Sequence, residues 1–267
     1  MAQAIPTPAK QTALPAIEGR NLEIRYDDTT VVAQANLHVN AGEICCLIGK
    51  SGCGKTTILN TLAGLVTPTQ GSVLSFGEDV TGKPGSIGYM LQKDLLLPHL
   101  RIIDNAALPL LLKGQAKQEA RETAARLFPT FGLEGTEELW PHQLSGGMRQ
   151  RVALLRTYVT GARCLLLDEP FSALDAITRA DMRFWFTKVT QKLGLSALVI
   201  THDVDEAVSL AQRVYVLAGN PRLGQPSTIH AEIHVERNGN PDGPFELTEE
   251  FLKAKRSVWA ALQENAQ

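Results

Sequence analysis

Gly49-Lys50-Ser51-Gly52-Cys53-Gly54-Lys55-Thr56-Thr57 decides how this chain is read. The stretch fits the phosphate-binding pattern G-x-x-x-x-G-K-[ST]. Its glycines permit a tight turn and keep side chains away from a ligand. The turning backbone aims several N–H groups into one concavity suited to phosphate oxygens. Lys55 can reach β- and γ-phosphates as a point charge, and the Thr56 hydroxyl can ligate Mg²⁺. Thr56 also opens a helix, whose N-terminus favours negative charge. The flanks suit that role. Ile44-Cys45-Cys46-Leu47-Ile48 is a short apolar run of the kind found in buried parallel strands. Ile58, Leu59 and Leu62 follow at helical spacing until Gly64. Strand, glycine-rich turn and helix therefore succeed one another.

The bulk numbers set bounds. At 267 residues the chain makes one large domain or two small ones. Its 44 % hydrophobic and 20 % charged residues are ordinary for a soluble globular protein. A formal net charge of −2 argues against bulk nucleic-acid binding, which shows as a basic excess. No apolar run approaches bilayer length, and the N-terminus lacks a signal-like apolar core, so a cytoplasmic chain is expected. Cys45, Cys46, Cys53 and Cys164 form no C-x-x-C pair, which argues for reduced thiols rather than a zinc site.

Outward from the phosphate loop, residues 1–17, rich in Pro, Ala, Gln and Thr, read as a flexible tail. Leu22, Ile24 and Tyr26 alternate before Asp27-Asp28-Thr29, and Val31 and Val32 resume the pattern; this is hairpin material for an antiparallel sheet. Tyr26 is either an ordinary strand aromatic or a surface for a purine base. A strand from Ile87 to Leu91 ends at Gln92, to which position alone gives no role. Residues from about 93 to 160 read as mainly helical, starting with Leu95-Leu96-Leu97-Pro98. Ser145 can cap a helix reaching about Tyr158; the Ser145-Gly146-Gly147 start can equally hold a phosphate. In Leu165-Leu166-Leu167-Asp168-Glu169, three leucines make a buried strand with two acids at its C-terminal end, where parallel sheets bind ligands. Asp168 can hold a Mg²⁺ shell and Glu169 can orient or deprotonate water; the pair can also simply be solvated. Met182, Trp185, Phe186, Val189 and Leu193 share one helix face as core. The strand Ala197–Ile200 leads to His202, either structural or a γ-phosphate contact. Ile229, Ala231, Ile233 and Val235 alternate in a late strand, and Thr248 can cap a last helix whose apolar side is Phe251, Leu252, Val258, Trp259 and Leu262.

Together the phosphate loop, LSGGMRQR at 144–151, LLLDEP at 165–170, SALD at 172–175 and THDVDEA at 201–207 resemble, in that order, the ATP-binding cassette of ABC transporters. The likeness runs from about residue 18 to 220 and implies an α/β fold: a P-loop NTPase core with an antiparallel β subdomain and an inserted α-helical subdomain over about 93–160. Residues 221–267 are left as a strand-and-helix extension. The resemblance gives Tyr26 the adenine-stacking position and makes Gly49, Lys50, Ser51, Gly52, Cys53, Gly54, Lys55, Thr56 and Thr57 the Walker A loop. Gln92 matches the glutamine that contacts Mg²⁺ and the γ-phosphate and couples to the membrane subunit. Ser145 and Gly147 belong to the signature that completes the opposite subunit's site. Asp168 is the magnesium residue, Glu169 the catalytic base, Asp175 a dimer-contact residue and His202 the switch histidine.

ATP and Mg²⁺ are the implied cofactors. The implied partners are a second copy of the ATPase, integral membrane permease subunits and, indirectly, a solute-binding protein, with no nucleic acid. The implied location is the cytoplasmic face of the inner membrane, held peripherally. Gln92-Lys93-Asp94-Leu95-Leu96-Leu97-Pro98 with Asp104-Asn105 resembles importers of the nitrate, sulfonate and taurine group, although His99 stands where those often carry Trp. An exporter cassette or a non-transport ATPase is the alternative. The sequence shows neither a sustained heptad run nor the N-K-x-D motif of guanine readers.

Overall fold

The alternation around Leu22 folds as two long antiparallel strands, β1 (Ile17–Tyr26) and β2 (Thr29–Val39). A computed structural model describes residues 14–237 and 245–264. Next come β3 (Ile44–Gly49), α1 (Lys55–Leu62), β4 (Gln70–Ser75), β5 (Glu78–Asp79) and β6 (Gly88–Met90). Four helices follow: α2 (Ile102–Leu112), α3 (Lys117–Ala125), α4 (Phe128–Phe131) and α5 (Gly146–Tyr158). Strands and helices then alternate through β7 (Cys164–Asp168), α6 (Ala176–Leu193), β8 (Ser196–Ile200), α7 (Val204–Leu210) and β9 (Arg213–Asn220). The described chain closes with β10 (Gln225–His234) and α8 (Glu249–Gln263).

The strands form one ten-stranded sheet in the order β5-β4-β1-β2-β10-β9-β3-β8-β7-β6. The β5-β4-β1-β2 side is antiparallel, and β9-β3-β8-β7-β6 is parallel. Because side chains alternate across a strand, β3 feeds both faces. Ile44, Cys46 and Ile48 enter a core shared with helices α2–α8, whereas Cys45 and Leu47 enter a second core with β1, β2 and α1. Parallel strands covered on both sides are apolar throughout, which is why β3 and β8 have no exposed residue.

Four expectations are corrected. The 93–101 stretch is not helical; the first helix after Gln92 is α2. The buried Asn105 side chain accepts the Leu97 N–H at 2.7 Å and donates to the carbonyls of Leu97, Leu100 and Arg101. Pro98 adds a residue that biases its predecessor away from helix. At the N-terminus, residues 1–13 lie outside the described residues, but Ala16 is buried and Ile17 starts β1, so the sheet begins inside the expected tail. At the other end, β10 is no appendage. It lies between β2 and β9, antiparallel to β9 and bridged in parallel to β2 at Ser227–Val32. The line drawn at residue 220 therefore cuts the sheet where its two halves join. On α8, Phe251 and Val258 are buried with Ala254 and Ala261, while Leu252 and Trp259 are each 48 % exposed.

Candidate active site

The phosphate loop leaves β3 at Gly49 and enters α1 with Gly54 as its N-cap. A Cβ on Gly49 would lie 2.5 Å from the Leu217 carbonyl oxygen of β9, so a larger residue would push the loop off the sheet. Gly54 has φ 96°, a conformation L side chains rarely adopt. Lys55 is buried; its Nζ donates to the carbonyls of Gly49 at 2.9 Å and Lys50 at 3.0 Å, so the ammonium is held in the curl of the loop. Cys53 is buried beneath the loop, and burial raises its thiol pKa, as it does for Cys45, Cys46 and Cys164. These thiols are packing groups, not thiolates poised to react.

The C-terminal ends of β7 and β8 bring the other chemistry to the loop. The Thr56 hydroxyl donates to Asp168 Oδ2 at 3.1 Å. Burial pushes the Asp168 carboxyl above its ordinary pKa; the Thr56 hydrogen bond opposes this, the negative charge of Glu169 adds to it, and Lys55 opposes it again. Glu169 sits at φ 43°, its N–H donating to the Ile200 carbonyl at 3.0 Å and its own carbonyl accepting from the Ser172 N–H and hydroxyl. His202 Nδ1 lies 3.1 Å from Glu169 Oε1, and Gln92 Nε2 donates to Glu169 Oε2 at 3.3 Å. Residues far apart in sequence thus grip one carboxylate from two sides.

A cavity of about 620 Å³ opens here, lined by Ser51, Gly52, Gly54, Lys55, Thr56, Thr57, Glu169 and His202, with Val31 and Ile200 as apolar wall. Tyr26 is 46 % exposed at the end of β1 and does not line this cavity. Gly49, Lys50 and Cys53 shape the loop without lining it. Ser145 caps α5, its hydroxyl accepting the Met148 N–H at 3.3 Å. Neither Ser145 nor Gly147 lines the cavity. Asp175 caps α6, accepting from the Ile177 and Thr178 N–H groups.

Four residues were not singled out by the sequence. Val31 is legible only as the aliphatic that resumes the alternation after Tyr26. Ser172 receives a second hydrogen bond from Gln92 Nε2 at 3.3 Å. Arg156 donates to the carbonyls of Asp94 and Leu95, and Arg149 pairs with Asp94 at 3.1 Å, tying the segment after Gln92 to α5. The i, i+7 spacing of the two arginines on one helix is their sequence signal.

The fold and this site define a phosphate-loop α/β ATPase. The family model for "ABC transporter" matches residues 32–172. The chain is 42 % identical over 228 residues to the formylaminopyrimidine import ATP-binding protein ThiZ of Halalkalibacterium halodurans, covering 85 % of this chain and 86 % of that protein. It is 41 % identical over 213 residues to the nitrate import ATP-binding protein NrtD of Synechocystis sp., covering 80 % of this chain and 78 % of that one. It is also 41 % identical over 228 residues to the aliphatic sulfonates import ATP-binding protein SsuB 2 of Burkholderia lata, covering 85 % and 80 %. Among solved structures, the dimeric structure of a bacterial ABC transporter cassette, MJ0796, superposes with a TM-score of 0.69 at 27 % identity, covering 83 % of this chain and 99 % of that one. The same cassette bound to ADP and Pi gives 0.68 at 26 % identity, again covering 83 % and 99 %. The chain belongs to the ABC transporter family and is an ATP-binding cassette.

Proposed function

We propose that this chain is the ATP-hydrolysing subunit of an importer, energising uptake of a small solute of the nitrate, sulfonate or taurine kind through a separate membrane permease. The import ATP-binding proteins it resembles support the direction, and the nitrate and sulfonate ones among them favour the solute class. In this reading it sits at the cytoplasmic face of the membrane, attached through permease subunits, with a solute-binding protein acting on the far side. Among the described residues no helix is long and apolar enough to cross a membrane.

The observation that carries the chemistry is the gripped Glu169 beside the Asp168–Thr56 pair. The loop N–H groups and Lys55 bind the phosphates. Thr56, Asp168 and Gln92 offer the hard oxygen donors that suit Mg²⁺, which keeps several water or phosphate ligands besides. Bound Mg²⁺ supplies neutralisation of charge on the β- and γ-oxygens. Asp168 would hold the ion as a carboxylate, a form that burial alone disfavours. Glu169 orients water and accepts its proton; His202 and Gln92 fix the carboxylate's direction. Tyr26 stacks on the base. Ser145 and Gly147 serve the cavity of a second copy; no residue of the 144–151 stretch lines the cavity of its own chain.

The test is Glu169→Gln. Turnover should fall by about 10²–10⁴-fold, the usual worth of a general base, while ATP still drives two copies together. Hydrolysis at the parental rate would remove Glu169 from the base role.

A further inference from the structure

Beside the nucleotide cavity lies a second cleft of about 600 Å³, walled by the apolar side chains of Ile48, Val204, Trp259 and Leu262 and sharing Ser51 and His202 with the first. We propose that this cleft, formed by α8 against the phosphate loop and the start of α7, receives Ile177 of a second copy when two chains close on ATP. The proposal rests on the paired arrangement in the proposed function and adds a contact on which that arrangement is silent.

Ile177 is 78 % exposed in the first turn of α6, an unusual place for a bare aliphatic. It is rigidly linked to Ser145. A Cβ on Gly147 would lie 3.1 Å from Thr178 Cγ2, and one on Gly146 would lie 3.0 Å from Leu174 Cδ2, so α5 and α6 begin against each other with no gap. A surface that meets Ser145 therefore comes close to the first turn of α6, which carries Ile177. If Ser145 enters the partner's cavity, Ile177 arrives at that cavity's margin. The Val31 margin leads toward Tyr26, where the base stacks. The other margin is the shared Ser51–His202 edge, which opens into the cleft.

Two-fold symmetry adds a condition: the giving and receiving groups must lie on one face of each chain. The start of α6 does neighbour the cleft rim, since Arg179 reaches Asp203 Oδ2 at 3.6 Å, while Ile177, two positions earlier, turns to another side of the helix and is free to meet a partner. Each closure thus buries two isoleucines in two clefts, and the half-exposed Trp259 gains a neighbour. The C-terminal helix thereby joins the machinery that separates the ATP-bound pair from single chains.

The experiment uses the full chain in the Glu169→Gln background. All four native cysteines are buried, so introduced thiols are the accessible ones. Ile177→Cys and Trp259→Cys variants are prepared separately, mixed, and treated with a short bifunctional maleimide. A covalent dimer should form with ATP, not without it, and not from either variant alone. In parallel, Ile177→Asp should raise the dissociation constant of the ATP-bound dimer by about 10- to 100-fold, the cost of losing a buried apolar anchor, with thermal unfolding of the monomer unchanged. An ATP-driven dimer that neither cross-links nor responds to Ile177→Asp overturns the proposal and leaves the pairing intact. A Glu169→Gln protein that stays monomeric in ATP overturns the pairing itself, and the proposal with it.

Discussion

Glu169 shows how much of this site is settled by a single residue's surroundings. Its left-handed backbone costs on the order of 1–3 kcal/mol, and three backbone-directed hydrogen bonds hold it there. Strain of that kind aims a side chain, here toward Gln92 and His202. A second acid, Glu206, lies in α7 beside Thr201 at the end of β8 and is only 3 % exposed. Burial raises its pKa to about 7, although a hydrogen bond from Thr201 opposes the shift. Unfolded Glu206 ionises near the ordinary 4.5, so the unfolded chain loses the proton first as pH rises. Stability attached to this group is thus complete below about pH 4.5 and declines up to about pH 7. Glu206→Gln should flatten that decline and add up to about 3 kcal/mol at pH 8 relative to the parent, read from urea unfolding at several pH values.

At the scale of elements, the join between the sheet's halves is the sensitive place. Arg213 opens β9 and is 7 % exposed; it pairs with Glu43 at 3.0 Å and with Glu232 of β10 at 2.8 Å, and it approaches His38 of β2. Arg213→Ala should destabilise the fold by about 3–5 kcal/mol, because the largely buried Glu43 carboxylate loses its ion-pair partner. A drop in the urea midpoint with little change in ATPase rate per folded molecule would show it. This join was not legible in the sequence. Ile229, Ala231, Ile233 and Val235 announce a half-buried strand, but alternation carries no information about which distant strands it pairs with. The leucines at 95–97 misled in the opposite way: their apolar run suits a helix, and the loop is imposed by Asn105 from outside the run. Local chemistry was far more legible. The phosphate loop, the Ser145 and Thr248 caps and the acids ending β7 each depend on neighbours within a few positions, and all stand where the sequence put them. The Glu169–Gln92 contact needs β6 and β7 side by side, which only tertiary structure supplies.

For the molecule as a whole, residues 144–151 stand apart from the cavity beside the phosphate loop. Under the proposed function, two chains together offer what each lacks singly, and a membrane partner would convert their closing and opening into movement of solute. Attachment through a partner rather than a span has a direct readout. The chain should sediment with membranes when its permease is co-expressed and pass into the soluble fraction on alkaline carbonate extraction. Retention in the carbonate pellet would point to an anchor of its own.

The central place of β10 also bears on how the polypeptide is made. Its two neighbours, β2 and β9, are both synthesised earlier and would stand with bare backbone edges on a growing chain. Closure of the sheet must therefore await synthesis of residues 225–234. Until then the nascent chain exposes two sticky borders, and a ribosome that stalls shortly before this strand releases a product primed to aggregate.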